Sequence, residues 1–201
     1  HLALLMDALK VDAASLVGLS LGGRVAVDFA IAHPGRVRSL VLVDPGLSGF
    51  PFTGRDWGKG LAESYRARQA GDAAKVADLF LRAWLAGPRR EPSEVDPAIW
   101  AKAREMAVPN ALRLREGLEL EPPAVGRLGE VVAPTLVVVG ELDGEDIQLI
   151  AKHVERRVPG TRRVVVPGVA HMPNLERPSD VNPLLLDFLA RPPAAPPRRP
   201  S

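Results

Sequence analysis

Two periodicities of apolar residues divide the first part of the chain into predicted helices and strands. Residues 2–10 carry apolar side chains at helical spacing, whereas 13–18 ("AASLVG") predict a short buried strand. A second helical pattern over 21–32 ends at His33-Pro34-Gly35, because proline and glycine interrupt helices. Residues 37–44 ("VRSLVLVD") form a continuous apolar run, typical of a strand covered on both faces. A strand, a helix and a strand in this order predict a parallel sheet with a right-handed crossover.

The pattern changes after this second strand. Residues 47–128 contain helical patterns and Gly/Pro-rich turns but no comparable strand, which predicts a mostly helical insertion. Strand patterns resume at 133–140 ("APTLVVVG") and 161–168, with helical patterns over 146–157 and 183–190. We therefore predict an α/β fold in which a parallel sheet has flanking helices and an inserted, mostly helical cap.

Four regions follow from these patterns. We predict a core with a first part at 1–46 and a second part at 131–190, separated by the cap insertion at 47–130. Residues 191–201 ("RPPAAPPRRPS") form a Pro/Arg-rich tail that we expect to be disordered. The chain begins without methionine and inside a helical pattern, so we expect it to be an N-terminally truncated fragment.

Composition excludes several classes of function. The chain has no cysteine, which rules out disulfides, thiolate metal sites and a cysteine nucleophile. Its net charge is only +2, and the tail holds three of the arginines, so we expect no nucleic-acid partner. No apolar run is long enough for a membrane span. We expect a cytoplasmic protein without metal or cofactor, and the sequence does not reveal its oligomeric state.

A serine stands between glycines where the first strand becomes a helix. Gly18-Leu19-Ser20-Leu21-Gly22 matches G-x-S-x-G in the strand-to-helix context that this motif requires. A strained turn would raise the Ser20 hydroxyl above the sheet, and side chains at 18 and 22 would collide with the neighbouring helix and strand. Gly23 would let the helix pack closer still. The alternative is a turn that needs the glycines only for its backbone and gives Ser20 no catalytic role. We favour Ser20 as a nucleophile.

A serine nucleophile needs a base and an acid. Of the four histidines, His171 lies in a loop beyond the C-terminal end of a strand, the edge where ligand and catalytic groups gather in parallel sheets. Two aspartates, Asp143 and Asp44, also follow strands and are candidates for the acid. Asp143-Gly144 could equally be only a turn, and we interpret Asp146 as a cap of the following helix.

These segments resemble the α/β-hydrolase family, in the large group with a helical cap inserted in the sheet. "LVGLSLGGRVAVDFAIAHPGRVRSLVLVDP" resembles its nucleophile elbow, following helix and next strand, "APTLVVVGELD" its acid-bearing strand, and "VPGVAHMPNLERPSDVN" its histidine loop. The family order of Ser, Asp and His favours Asp143 over Asp44 as the acid. The resemblance also implies that the Leu21 N–H is one oxyanion donor. The family's preceding strands, and the loop that donates the second N–H, are absent from this sequence, so we expect the chain alone to be poorly active.

The resemblance implies a serine hydrolase with Ser20 as nucleophile, His171 as base and Asp143 as orienting acid. Its expected partner is a small carboxylic ester or lactone. Carbon–carbon bond hydrolysis and perhydrolysis use the same three groups and stay open, and a hydrolase-like protein that binds a small ligand without turnover is the alternative of another class. Aromatic residues of the insertion either line a pocket or form the cap core, and we predict none of them as a site residue: Phe50, Phe52, Trp57, Trp84 and Trp100.

Overall fold

The structure is a computed structural model that describes residues 1–54, 56, 58–113 and 120–190. The predicted disordered tail and Trp57 lie outside the described residues. The strands are β1 Ala14–Leu19, β2 Val37–Val43, β3 Thr135–Gly140 and β4 Arg162–Val166. The helices are α1 Leu2–Ala8, α2 Leu21–Ala32, α3 Gly58–Gln69, α4 Ala73–Leu81, α5 Pro97–Ala107, α6 Glu145–Arg157, α7 Pro173–Glu176 and α8 Pro178–Ala190. Short turns complete the elements: a π-helical turn over Arg82–Ala86, and 3₁₀ turns over Pro34–Arg36, Pro92–Glu94, Val108–Asn110, Ala124–Gly126 and Leu128–Glu130.

The four strands form one parallel sheet in the order β1-β2-β3-β4, which confirms the predicted α/β class. In register, Leu19 pairs with Val43, Val43 with Val138, and Gly140 with Val166. The C-terminal ends of all four strands therefore lie along one edge of the sheet. Every residue that the sequence singled out for chemistry follows one of these ends.

Helices cover the sheet on both faces. Leu40 and Leu42 of β2 belong to a buried cluster with apolar residues of α2 and α6, whereas Val41 and Val43 join a second cluster with Val181 and Phe188 of α8. Successive side chains of a strand point to opposite faces, so β2 needs apolar residues at every position. This explains the continuous apolar run that predicted a doubly covered strand.

The first strand is only half covered, so the prediction of a buried strand was wrong for one of its faces. Val17 is 52% exposed and Leu19 36% exposed, while Ala14 and Leu16 pack against the α2–α6 cluster. The reason is the strand order: β1 is at the edge of the sheet, and the α8 cluster contains residues of the other three strands only.

Between β2 and β3 the described residues form the helices α3, α4 and α5 with short turns, and they contain no strand.

Two aspartates, Asp146 and Asp56, connect the start of this helical region to α6 through hydrogen bonds. Asp146 is 2% exposed and accepts hydrogen bonds from the Thr53 N–H (3.0 Å) and the Gly54 N–H (3.1 Å). Asp56 accepts one from the Glu145 N–H at 2.7 Å. The interpretation of Asp146 as the helix cap was therefore wrong, because its carboxylate is used by the incoming chain and Gly144 is the N-cap.

The last helix begins earlier than its pattern predicted. It starts at Pro178 rather than at 183, because the Asp180 and Val181 N–H groups both donate to the Arg177 carbonyl and complete a first turn before Pro183. Neither this helix nor any other in the part of the chain described here combines the length and apolarity that a bilayer span requires.

Candidate active site

Ser20 occupies the turn between β1 and α2 in a strained conformation, with φ 52° and ψ −114°. Positive φ is uncommon for a residue with a side chain, and such outliers concentrate at functional sites. Hydrogen bonds to the neighbouring strand hold the turn: the Ser20 N–H donates to the Val43 carbonyl at 2.9 Å, and the Ser20 carbonyl accepts from the Gly46 N–H at 2.9 Å. The turn is thus built as the sequence pattern predicts.

The glycines of the motif have different roles. A Cβ on Gly18 would collide with the backbone of Gly22 and lie 2.6 Å from the Gly23 nitrogen, so no side chain fits there. A Cβ on Gly23 would lie 2.9 Å from the Pro45 Cβ, in agreement with its predicted role in close packing. At Gly22, by contrast, a Cβ would meet no described atom within 4 Å. The predicted collision at Gly22 was therefore wrong.

His171 and Asp143 meet in the interior, although 28 residues separate them. The His171 Nδ1 lies 2.6 Å from the Asp143 Oδ2, and their side chains are 3% and 1% exposed. The other carboxylate oxygen of Asp143 accepts a hydrogen bond from the Gly144 N–H at 2.7 Å. This arrangement fixes the tautomer in which Nδ1 carries hydrogen toward Asp143, so Nε2 is the nitrogen that can accept a proton.

Trp84, in the π-helical turn, is the contact of His171 that the sequence did not reveal. Its ring centroid lies 4.3 Å from that of His171, and its carbonyl accepts a hydrogen bond from the His171 N–H at 3.2 Å. We predicted the aromatic residues of the insertion as lining or core, with no site residue among them. A tryptophan in a helical region carries no local motif, so only the fold shows which of the aromatic residues meets the imidazole.

Asp44, the rival candidate for the acid, is part of the same cluster. It is fully buried, and ligand atoms of Asp44, Asp143 and His171 all lie within 4.8 Å of one another. Burial raises the pKa of Asp44 well above its usual value, and the neighbouring Asp143 raises it further through its charge and a side-chain hydrogen bond. The Gly140 N–H, which donates to Asp44 Oδ1 at 2.9 Å, acts in the opposite direction.

The cluster has donor types that suit a cation, but its geometry is that of a hydrogen-bonded pair. Two ligand atoms bound to one metal at about 2.1 Å stand roughly 3 Å or more apart. The 2.6 Å separation of Nδ1 and Oδ2 is shorter than this. We therefore assign these atoms to each other rather than to a shared ion.

Two of the three predicted catalytic residues, His171 and Asp143, are thus in contact in the structure. The imidazole and the carboxylate are in contact, whereas the Ser20 hydroxyl has no hydrogen bond to His171 within the described structure. Catalytic hydrogen bonds are often long before substrate binds, so this separation is compatible with a shared role. Leu21, the predicted oxyanion donor, is the first residue of α2, where the N–H groups of a helix have no partner within the helix.

A cavity of about 750 Å³ lies in the helical region rather than at this cluster. Its walls are strongly charged, and most of these charges are paired with one another, as in the 2.8 Å contact between Lys75 and Glu63. None of the predicted site residues lines it; its lining comprises Asp56, Gly60, Glu63, Lys75, Asp78, Leu79, Arg82, Ala83, Gly87, Pro88, Arg90, Glu91, Pro92 and Trp100.

Comparison with known proteins agrees with the architecture. Residues 1–184 match the model of the family described as "Alpha/beta hydrolase family". A pimeloyl-[acyl-carrier protein] methyl ester esterase of Neisseria meningitidis is 32% identical over 193 residues, which cover 90% of this chain and 71% of that relative. A 2-hydroxy-6-oxononadienedioate/2-hydroxy-6-oxononatrienedioate hydrolase of Comamonas testosteroni is 31% identical over 196 residues, 92% of this chain and 66% of that relative.

A solved structure also resembles this chain in its fold. Est816, described as an N-acyl homoserine lactone degrading enzyme, superposes with a TM-score of 0.60 at 29% identity, covering 93% of this chain and 71% of that one. In these three comparisons the chain spans between 66% and 71% of the length of the matched protein.

Proposed function

The chain belongs to the alpha/beta hydrolase family, and we propose that it is a serine hydrolase that cleaves a small carboxylic ester or lactone through an acyl-enzyme intermediate. In this proposal Ser20 is the nucleophile, His171 the general base and Asp143 the acid that orients His171. The Leu21 N–H stabilises the oxyanion.

One observation carries the proposal: the buried 2.6 Å contact between His171 and Asp143. Both residues follow strands whose ends share an edge with the Ser20 turn. A buried imidazole held by a carboxylate is the arrangement that activates a serine hydroxyl. The strained backbone of Ser20 at that edge supports its assignment as the group that is activated.

The proposed reaction has two halves. The Ser20 Oγ attacks the substrate carbonyl carbon while the His171 Nε2 takes the hydroxyl proton, and the Leu21 N–H donates to the resulting oxyanion. The tetrahedral intermediate collapses, and His171 gives the proton to the departing alcohol oxygen. Water then attacks the acyl-enzyme with the same base, which releases the acid and restores Ser20. Asp143 stays ionised and stabilises the imidazolium in both halves.

The comparisons support the substrate class. The relative from Neisseria meningitidis is a methyl ester esterase, and Est816 is described as degrading a lactone. Esters and lactones both contain a carbon–oxygen bond of an acyl group, which a serine nucleophile attacks without a cofactor. We infer a small-molecule acyl substrate of this kind for the present chain.

A second candidate reaction is the hydrolysis of a carbon–carbon bond next to a carbonyl. It is favoured by the 31% identity to the 2-hydroxy-6-oxononadienedioate hydrolase. Comparing turnover of p-nitrophenyl esters and lactones with turnover of a 2-hydroxy-6-oxodienoate distinguishes the two reactions, because the leaving group is an oxygen in the first and a carbon in the second.

A fluorophosphonate probe tests the serine hydrolase assignment directly. We expect the folded protein to be labelled, and Ser20→Ala to lose labelling and to lower ester turnover by roughly a thousandfold or more. Ser93→Ala is the matched control, because this exposed serine lies in the turn Pro92–Glu94 and does not follow a strand. Labelling that persists in Ser20→Ala would contradict the proposal. A folded protein that resists the probe would favour a ligand-binding protein without turnover.

A further inference from the structure

The proposed mechanism uses one buried carboxylate beside His171, but the cluster around His171 contains two. Asp44 follows β2, is fully inaccessible, and lies with Asp143 and His171 in a cluster whose ligand atoms are within 4.8 Å. A carboxylate without compensation is costly to bury, so a second one beside the first requires an explanation.

The hydrogen bonds of Asp44 leave one of its two carboxylate oxygens without a donor. Its Oδ1 accepts from the Gly140 N–H at 2.9 Å, whereas its Oδ2 is buried and has no donor among the described groups. Both oxygens of Asp143 already accept, one from the Gly144 N–H and one from His171. Two ionised carboxylates could only repel each other here. A proton on Asp44 Oδ2 converts the orphaned oxygen into a donor that faces an acceptor.

The backbone shows that this position is imposed by the fold. Asp44 has a positive φ of 41° and directly precedes Pro45, and its N–H donates to the Val138 carbonyl at 2.8 Å. A non-glycine residue in this region is strained, and aspartate tolerates it better than most residues. In this conformation the Asp44 side chain lies in the cluster, and its Oδ1 accepts the hydrogen bond of the Gly140 N–H.

We propose that Asp44 is a neutral carboxylic acid that donates a hydrogen bond from Oδ2 to the Asp143 carboxylate, and that it thereby acts as a positioning residue for the Asp143–His171 pair. The cluster then carries one negative charge beside the imidazole. The inference rests on the proposed function in so far as His171 is the base of the reaction.

The surroundings agree with a neutral Asp44. Of the described titratable groups, those in this cluster are Asp143 from the turn after β3 and His171 from the loop after β4. Burial and the negative charge of Asp143 both raise the pKa of Asp44.

Substitutions at Asp44 separate a positioning acid from a triad acid. Asp44→Asn keeps the shape, an acceptor for the Gly140 N–H and a neutral donor for Asp143, so we expect kcat to stay within about threefold of the wild type. Asp44→Ala removes the donor and the acceptor, and we expect kcat to fall about tenfold or more. Asp143→Asn is the comparison variant, with an expected loss of about a hundredfold or more.

The pH–rate profile gives a readout that packing alone would not move. Replacing a neutral Asp44 by Asn leaves the charge next to His171 unchanged, so the acidic limb of kcat/KM should keep its midpoint within about 0.3 pH unit. Had Asp44 been ionised, Asn would remove a negative charge within 4.8 Å of the imidazole and lower that midpoint by about one unit or more. Such a shift, or an Asp44→Asn loss as large as that of Asp143→Asn, would overturn the proposal.

Urea unfolding as a function of pH tests Asp44 without any substrate. A raised folded pKa means that the folded chain keeps a proton that the unfolded chain has lost, so wild-type stability is full below the ordinary carboxyl pKa and declines as pH rises through the folded value. Asp44→Asn lacks this decline, and its stability relative to wild type should increase with pH. Parallel curves would overturn the inference. If Ser20→Ala kept full activity while the curves diverged, only the proposed function would fail.

Discussion

The Ser20 turn depends on Gly18, a position where no side chain fits. Ser20 adopts positive φ because β1 has to become α2 within one residue, and Gly18 lies directly under the incoming helix. Close approach of the two backbones allows the turn to present the hydroxyl at the strand ends. Gly22, at the corresponding position on the helix side, has free space around it among the described atoms.

Alanine at these two glycines should therefore have opposite effects. Gly18→Ala places a Cβ against the Gly22 backbone, and we expect a loss of about 2–4 kcal/mol in the free energy of unfolding, because backbone cannot move aside as a flexible side chain can. Gly22→Ala adds a helix-favouring methyl group in open space, with an expected change between zero and about 1 kcal/mol of stabilisation. Urea unfolding measures both; equal destabilisation by the two would refute the steric explanation.

At the scale of elements, one buried arginine fastens the helical region to the histidine loop. Arg90 donates to the carbonyls of Leu85 and Ala86 in the preceding π-helical turn and to the carbonyl of Gly168 before His171. Its two Nη atoms also donate to both carboxylate oxygens of Glu176 in α7, at 2.8 and 2.9 Å. All five N–H groups of the guanidinium are thus used, and the segment that contains His171 is held on both sides.

Arg90→Met should test this connection. The ion pair with Glu176 has side chains only 9% and 6% exposed, so the substitution leaves a buried carboxylate unpaired and should cost about 3–5 kcal/mol. Arg82→Met is the matched control, because its pair with Glu91 is 64% and 69% exposed and should contribute less than about 1 kcal/mol. We expect the double variant Arg90→Met/Glu176→Met to recover part of the loss. Equal effects of Arg90→Met and Arg82→Met in urea unfolding would contradict this role.

At the scale of the whole molecule, the helices leave part of the sheet exposed on each face. The α2–α6 cluster includes residues of β1, β2 and β3 on one face but none of β4, whose Val165 is 43% exposed, and on the other face α8 leaves β1 uncovered. Within the described residues β1 pairs only with β2, so its second side offers unpaired backbone groups next to the exposed Val17 and Leu19. Exposed apolar edge strands promote association between copies of a protein.

We expect the 201-residue chain to self-associate through this edge as its concentration rises. Val17→Lys puts a charge on the exposed face of β1 and should shift the molecule toward monomer in sedimentation velocity experiments. Leu186→Lys is the control, since Leu186 is 67% exposed but lies on α8, whose backbone groups are already paired within the helix. An equal effect of both variants would show that general hydrophobicity, rather than the strand edge, drives association.

Local patterns in the sequence were sufficient for the order of the elements and for the serine turn. Strand and helix periodicities are properties of neighbouring residues, and a G-x-S-x-G turn is a local backbone requirement, so both can be read without a fold. The position of His171 and Asp143 after strands was also readable, because parallel strands end at a common edge. In the structure the His171 Nδ1 and the Asp143 Oδ2 lie 2.6 Å apart, while the roles assigned to the two residues stay a prediction.

Only the tertiary structure decided which groups from distant parts of the chain come together. Asp44 and Asp143 were rivals in the sequence, but the adjacency of β2 and β3 makes them neighbours in one cluster. Trp84 reached His171 by the folding of the helical region, and β1 became half exposed by its place at the edge of the sheet. Burial and proximity depend on which elements pack together, and periodicity along the chain describes only the face that each element presents, not the partner that covers it.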